Sequence, residues 1–138
     1  MKDLQSEHYH SLLQFIGFEN RSLLEEAIRI MQLPDGEDKD LELDAFLDKY
    51  PENGFGLFLR ADIADRKKEF RKAKKYYEDL LEKIPDSPSG RVNYGVLLEE
   101  NFNDPESASA NYIRSAAHDA NFFAAFFNAA RVLARLNR

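Results

Sequence analysis

Histidines and an acidic loop are the residues of this chain whose types could bind a metal ion. His8 and His10 are two residues apart, which on a helix directs their side chains about 200° apart, so they do not form the i, i+4 pair that holds zinc. The loop from Asp35 to Asp44 has the acidic character of a calcium loop, but Asp40 stands in place of the turn glycine and Phe46 in place of the closing glutamate. We therefore predict no metal site and interpret both features as solvated surface.

The sequence lacks the other patterns that would indicate catalysis. It contains no cysteine, which excludes thiolate metal sites and thiol redox chemistry. It has no glycine-rich phosphate loop, no nucleophile motif and no pair of carboxylates in a recognisable frame. We therefore predict that the protein is not an enzyme and that it uses no cofactor and no small-molecule substrate.

One basic cluster, from Arg66 to Lys75, carries seven basic residues against one acidic residue. The net charge is −9 over residues 1–65 and −3 over residues 76–138, so the whole chain carries −6 and lacks the basic surface of a nucleic-acid-binding protein. On a helix the cluster's charges surround an apolar stripe of Phe70, Ala73 and Tyr77. We interpret the cluster as a solvated face, with a docking patch for an acidic protein or RNA as the alternative.

Length indicates how large a core this chain can form, and hydropathy indicates the compartment in which it functions. With 138 residues it can bury roughly two-thirds of its unfolded surface, enough for a core without a metal or disulfide. The first ten residues, MKDLQSEHYH, lack the apolar run of a secretory signal, and no stretch approaches membrane-spanning length. Together with the absence of cysteine, this predicts a cytoplasmic protein that does not enter a membrane, with export by a leaderless route as the alternative.

An internal repeat of 34 residues organises the chain, and such a repeat identifies helical or other solenoid architectures. The segment LDAFLDKYPE, residues 43–52, aligns at this step with YEDLLEKIPD, residues 77–86. Both segments have the apolar spacing of a helix and both close with a proline, Pro51 or Pro85, which cannot continue that helix. The repeating unit is therefore a helical one.

Small residues recur in the middle of one helix of each unit, where missing side-chain bulk lets a neighbouring helix approach closely. The 34-residue step aligns Ala27, Ala61 and Gly95. One inserted residue lengthens the next step to 35, which aligns Gly95 with Ala130 and places the insertion in a predicted loop from Asn101 to Pro105. We expect Ala61 and Gly95 to be buried where helices approach most closely.

Capping residues and prolines set the predicted helix ends. Ser87 and Asp104 each precede a proline, which is the pattern of a cap followed by a first-turn proline. No strand-like alternation competes with the helical period, so we predict an all-α fold. The predicted helices are Gln5 to Ile16, Ser22 to Gln32, Asp40 to Tyr50, Gly54 to Arg66, Glu69 to Ile84, Pro88 to Glu100, Pro105 to His118 and Asn121 to Leu136.

The 34-residue period carries a small residue, an aromatic residue, a second small residue and a closing proline, in that order. This pattern resembles that of the tetratricopeptide-repeat family. The clearest match, residues 55–87, keeps the family pattern at Leu57, Ala61, Phe70, Ala73, Tyr77, Leu81 and Pro85. The resemblance covers about 118 residues, from Asn20 to the end of the sequence. It implies a TPR-like α-α superhelix, or solenoid, of about seven to eight antiparallel helices.

The resemblance implies one helical-repeat domain over residues 1–138, with capped ends. Its parts are an N-terminal cap helix (1–19), a degenerate first repeat (20–53), a second repeat (54–87), a third repeat (88–122) and a C-terminal cap helix, or half repeat (123–138). The first repeat departs from the family because Pro34, Asp35 and Gly36 interrupt it and Lys39 replaces the small packing residue. We therefore expect its second helix to be short.

In this family the first helices of the repeats line a concave surface that receives a peptide or a partner helix. Carried over by position, the groove residues are Leu24, Ile28, Phe58, Asp62, Asp65, Val92, Val96, Glu99, Phe127 and Arg131. This surface is apolar with an acidic rim, and it lacks the lysine and asparagine with which some members bind a chaperone tail. The alternative is that its apolar residues are core, covered by the helix that carries Tyr9, Leu12, Leu13, Phe15 and Ile16.

The resemblance implies a protein that binds another protein, and two such functions remain open. One is a scaffold or adaptor whose groove receives a helix or segment with basic and apolar residues. The other is a dedicated inhibitor, such as a bacterial immunity protein that neutralises a basic nuclease toxin. Affinity distinguishes them, because an inhibitor binds its cognate partner at nanomolar strength or below and an adaptor more often at micromolar strength.

Overall fold

The structure, a computed structural model, describes residues 21–137, except for the side chains of Arg21 and Leu24. Over this range the fold is all-α, as predicted, with seven helices and no strand. The helices are α1 (Arg21–Gln32), α2 (Glu37–Lys49), α3 (Gly54–Arg66), α4 (Phe70–Lys83), α5 (Pro88–Asn101), α6 (Pro105–His118) and α7 (Phe123–Leu136). The helix predicted from Gln5 to Ile16 lies outside the described residues.

The chain divides into two compact units, residues 1–60 and 61–138, with the border inside α3. In the first unit α1 packs against α2. In the second unit α4 packs against α5, α5 against α6, and α6 against α7. Packing of each helix on its neighbour in the chain is consistent with a helical-repeat solenoid.

Two predicted helix starts are confirmed by their cap hydrogen bonds. The Ser87 hydroxyl oxygen accepts a bond of 3.1 Å from the Gly90 amide at the start of α5. The Asp104 carboxylate accepts a bond of 3.1 Å from the Ser107 amide at the start of α6. Each cap satisfies an amide that the first turn of a helix leaves without an intrahelical partner. The predicted loop is also confirmed, because residues 102–104 connect α5 to α6.

The close approach predicted at Gly95 is present between α5 and α6. A Cβ added at Gly95 would lie 2.5 Å from Cε1 of Tyr112, which is too close for any side chain at this position. Tyr112 itself is fully buried. The buried core around this contact consists of Val92, Leu98, Ala108, Tyr112, Ala116, Ala125, Ala129 and Val132.

The expectation of a short second helix in the first repeat is wrong, because α2 has 13 residues. Gly36, with φ of 150°, allows the chain to turn directly before the helix, and acidic side chains in the first turn favour its positive end. Lys39 is only 6% exposed, and its ammonium lies 3.3 Å from the Asp35 carboxylate. A lysine can occupy the small-residue position because its aliphatic stem packs in the interior while its charge is paired.

Candidate functional site

The ten predicted groove residues are divided between the two units. Leu24, Ile28 and Phe58 belong to the first unit, where Ile28 and Phe58 are half-buried and the Leu24 side chain is outside the description. The other seven belong to the second unit. The contacts described below all lie within the second unit.

Two of the predicted groove residues lie in or against the core of the second unit. Val92 is 6% exposed and packs among residues of α6 and α7. Val96 is half-buried against the same core. Within this unit both valines therefore pack in the core that α5 shares with α6 and α7. The predicted covering helix, which carries Tyr9, lies outside the described residues.

Glu99 and Arg131 are brought together by the fold, in an ion pair that joins α5 to α7. The two terminal nitrogens of Arg131 donate to the Glu99 carboxylate at 2.6 and 2.7 Å. Arg135 donates to the same carboxylate at 3.1 Å, and the Tyr112 hydroxyl donates at 3.0 Å. The Glu99 side chain is only 7% exposed, so four charge-assisted bonds are concentrated on a nearly buried group.

This network determines the ionisation of its members. The hydrogen bond from Arg131 holds the pKa of Glu99 below its usual value, against the opposing effect of burial. Burial, together with the bond to Glu99, raises the pKa of the Tyr112 hydroxyl. Glu99 is therefore ionised at neutral pH, but its charge is already neutralised by two arginines. It contributes to stability and does not offer a free anion to a partner.

Asp65 has a different environment. Burial raises the pKa of Asp65, and the neighbouring carboxylates of Asp62 and Glu100 raise it further. Asp62 pairs with Arg66 at 2.9 Å, but the described side chains give Asp65 no cationic partner. An ionised aspartate that is crowded by like charges is stabilised when an external cation approaches. Of the predicted acidic rim, Asp62 and Asp65 lie together here.

The basic cluster predicted from the sequence spans the end of α3 and the start of α4, and several of its charges have compensating contacts. Lys72 pairs with Glu69, and Lys75 pairs with Asp79, each at 2.9 Å. Lys74 lies over the Phe102 ring, with its ammonium 4.9 Å from the ring centroid. These contacts support the interpretation of the cluster as a solvated face.

An apolar stripe covers the outward face of α7. The exposed fractions are 76% for Phe123, 48% for Phe126, 56% for Phe127 and 38% for Leu133. The rings of Phe123 and Phe127 stack with their centroids 6.0 Å apart. Helical geometry places Ala130 and Ala134, both exposed, between these larger residues, so the stripe contains no charged side chain. We name these six residues the α7 face; of them, only Phe127 is among the predicted groove residues, whereas the repeat predicted Ala130 to be a packing position.

The composition of α7 was the signal that could have identified this face. Ala125, Ala129 and Val132 form the buried side of the helix, and the α7 face lies on its other side. A helix that is apolar on both sides either is buried all round or binds something. Contiguous exposed apolar groups of this kind mark interaction surfaces, whereas single exposed ones do not.

No known protein-family model matches this chain, and a search of curated proteins found no relative. The tetratricopeptide resemblance therefore rests on the residue pattern alone. None of the helices described here has the length and apolarity needed to cross a membrane. Within residues 21–137 no three histidine, cysteine, aspartate or glutamate side chains are grouped so as to hold a metal ion. His8 and His10 lie outside the described residues.

Proposed function

We propose that this chain is a cytoplasmic, non-catalytic protein-interaction module, a TPR-like scaffold or adaptor, that binds a helix or peptide segment of another protein. The α7 face carries this proposal. It exposes three phenylalanines and a leucine in one stripe, and its aromatic members are of the kind that dominate binding energy at interfaces. Phe127, from the predicted groove, is the central anchor.

The free energy available at this surface is large enough for specific binding. Full burial of a phenylalanine or leucine side chain contributes roughly 1.5 to 3 kcal/mol. Phe123 and Phe127 are more than half exposed, so a partner can bury most of that area. The Phe123 and Phe127 rings already stack on each other, which limits the side-chain entropy that they lose when a partner binds.

The charge of the second unit favours a basic group on the partner. Asp65 is crowded by Asp62 and Glu100, and a lysine or arginine placed beside it would relieve that repulsion. Glu99 does not serve this purpose because Arg131 and Arg135 already bind it. A foreign partner that reaches Asp65 is therefore expected to carry a lysine or arginine there.

The test compares Phe127→Ser with Ile113→Ser, which removes another exposed apolar side chain, on α6. Proteins captured from native lysate by the wild-type chain are identified, purified and titrated by calorimetry. We expect Phe127→Ser to weaken the cognate complex at least about tenfold, or 1.4 kcal/mol, and Ile113→Ser to leave it unchanged. Equal affinities for wild type and Phe127→Ser, or equal losses for both variants, would show that binding occurs elsewhere.

A further inference from the structure

The α7 face repeats a face that α5 buries. In α5, Val92 and Leu98 lie in the core that α5 shares with α6, and the small position Gly95 lies directly under the Tyr112 ring. One 35-residue step later, the equivalent residues of α7 are exposed: Phe127, Leu133 and Ala130. The repeat therefore indicates what covers such a face. It is the second helix of a repeat, which places an aromatic residue over the small position.

The second helices of the repeat carry a common apolar stripe. In α4 the buried residues of this stripe are Tyr77, Leu80 and Leu81, and in α2 they are Leu43, Phe46 and Leu47. The same pattern occurs two 34-residue steps before α4, because residues 9–16 (YHSLLQFI) share Tyr, Leu, Leu and Ile with residues 77–84 (YEDLLEKI) at identical spacing. Residues 5–16 therefore carry the sequence of a second helix, in the frame of the repeat.

We propose that residues 5–16 of a second copy of this chain bind the α7 face, so that the protein assembles head to tail. Tyr9 of the second copy lies over Ala130 as Tyr112 lies over Gly95, and Leu12 and Leu13 complete the apolar contact. The inference rests on the proposed function, since it names a partner for the same surface. The repeat specifies the occupant, because in α5 the equivalent residues are covered by a second helix of the same pattern, with Tyr112 over Gly95.

The frame of the repeat favours a second copy as the source of this segment. In the second unit α6 packs against the helix before it, α5, and against the helix after it, α7. Residues 5–16 carry the sequence of such a second helix and are followed in the chain by α1, so in this frame α1 takes the place of α7, and α7 of a second copy takes the place of α5. The charges are also compatible, because the formal charge within residues 5–16 is the single carboxylate of Glu7, whereas α7 and the Glu99 carboxylate that its two arginines bind carry a net charge of +1.

This interface joins two different surfaces, so a pair of copies still has one free α7 face and one free segment. Heterologous contacts of this type build open chains or closed rings, in contrast to the closed dimer that a self-complementary patch forms. A single helix packed on one helix face buries less area than a standard stable interface. We therefore expect assembly that depends on concentration, with a Kd on the order of 1 to 100 µM.

The experiment is sedimentation velocity on the 138-residue chain from roughly 1 to 500 µM, a range that brackets this Kd. Ala130→Arg blocks the α7 face, Tyr9→Asp blocks the segment, and Ala117→Arg, at an exposed position of α6, is the matched control. Wild type and Ala117→Arg are expected to grow beyond dimers as concentration rises. Ala130→Arg and Tyr9→Asp are each expected to remain monomers, and their equimolar mixture is expected to form a heterodimer and nothing larger.

The mixture is the decisive sample, because each variant retains the surface that the other lacks. The proposal is overturned if wild type remains monomeric at every concentration, if Ala130→Arg assembles like wild type, or if the mixture stays monomeric while both variants melt like wild type. Unchanged melting of Ala130→Arg excludes misfolding as the reason for its monomeric state. If wild type remains monomeric but Phe127→Ser still loses a foreign partner, only this proposal fails and the proposed function stands.

Discussion

Helices α5 and α7 occupy equivalent places in the repeat but end in opposite environments. In α5 the small residue Gly95 is covered by Tyr112, and its apolar neighbours Val92 and Leu98 are buried. In α7 the equivalent Ala130 is exposed beside Phe127. The same register thus produces core in one helix and surface in the other.

A repeat therefore specifies which side of a helix is made to pack, but not which element packs there. In α5 the covering helix is α6, which follows in the chain. In α7 the same type of face is open within the second unit, and its large apolar residues leave it ready to bind a helix from another source. A position that is structural in one unit can in this way be functional in another.

The largest expected effect comes from enlarging the small position in both helices. Gly95→Leu forces a side chain into the Tyr112 ring, and overpacking of this kind costs at least about 1 to 3 kcal/mol in free energy of unfolding. Ala130→Leu adds the same type of bulk at an exposed site and should change stability by less than about 0.5 kcal/mol. Chemical denaturation of dilute samples measures both.

Equal destabilisation by the two variants would show that Ala130 is packed as closely as Gly95, which contradicts the difference between α5 and α7. An unchanged stability of Gly95→Leu would show that the repeat alignment is wrong, because that alignment identifies Gly95 as the point of closest approach. Ala61→Leu provides a second test of the frame, since Ala61 is fully buried at the corresponding position of α3.

A smaller effect is expected from the ion pair that holds α7 on α5. Glu99→Gln removes the charge that Arg131 and Arg135 bind, and since both arginines are about half exposed they return to water, which limits the cost to roughly 1 to 2 kcal/mol. Glu100→Gln, at the next and exposed position, is the control and should cost less than about 0.5 kcal/mol.

The effect of Glu99→Gln on stability should depend on pH. The folded-state pKa of Glu99 is lowered, so its stabilising contribution is present above the ordinary carboxyl pKa of 4.5 and is lost as the pH falls through the lowered value. The stability difference between wild type and Glu99→Gln should therefore shrink in acid. A difference that stays constant from neutral pH into acid would mean that the charge of Glu99 does not stabilise the fold.

Local signals were sufficient to predict most helices and their ends. Ser87 and Asp104 cap the helices that they were predicted to cap, because capping depends on residues three positions apart. The burial of Gly95 was likewise predictable, because the repeat compares equivalent positions within one sequence. These features are determined by neighbours in the chain or by the repeat.

Features that depend on the pairing of particular side chains were not predicted. Glu99 and Arg131 lie 32 residues apart and match no step of the repeat, so their ion pair has no sequence signature. Burial of Lys39 depends on the length of its stem and on Asp35, and the small-residue pattern gave the opposite expectation for α2. The open α7 face was missed because the repeat places Ala130 at a packing position whatever element covers it.

A still smaller change in stability is expected at Asp65, where the sign is opposite to that at Glu99. Its raised pKa means that the protonated form is favoured on folding, and this stabilisation is present below the unfolded value of 3.8 and lost as the pH rises through the raised folded value. At neutral pH, Asp65→Asn should therefore raise Tm slightly and weaken binding of a basic partner. Asp48→Asn, at an exposed site of α2, should do neither, and a fall in Tm for Asp65→Asn would contradict this view of the acidic group.

The smallest effect on binding is expected from the basic cluster. Replacement of Lys67, Lys68, Lys72 and Lys75 by glutamine removes four positive charges, and it breaks the ion pairs of Lys72 with Glu69 and of Lys75 with Asp79. If the cluster is only a solvated face, partner affinity should change by less than about twofold and its salt dependence should not change. A steep loss of affinity with a weaker salt dependence would make the cluster, and not the α7 face, the main binding site.

Thiol labelling tests the openness of the α7 face most directly, because the chain contains no native cysteine. Ala130→Cys and Ala129→Cys place single thiols at adjacent residues of α7, of which Ala130 is exposed and Ala129 is 8% exposed. In dilute solution, where copies stay apart, we expect Ala130→Cys to react like a free surface thiol and Ala129→Cys to react at least about tenfold more slowly. Equally slow labelling of both thiols at every dilution would show that the α7 face is already covered within a single molecule, which contradicts the account.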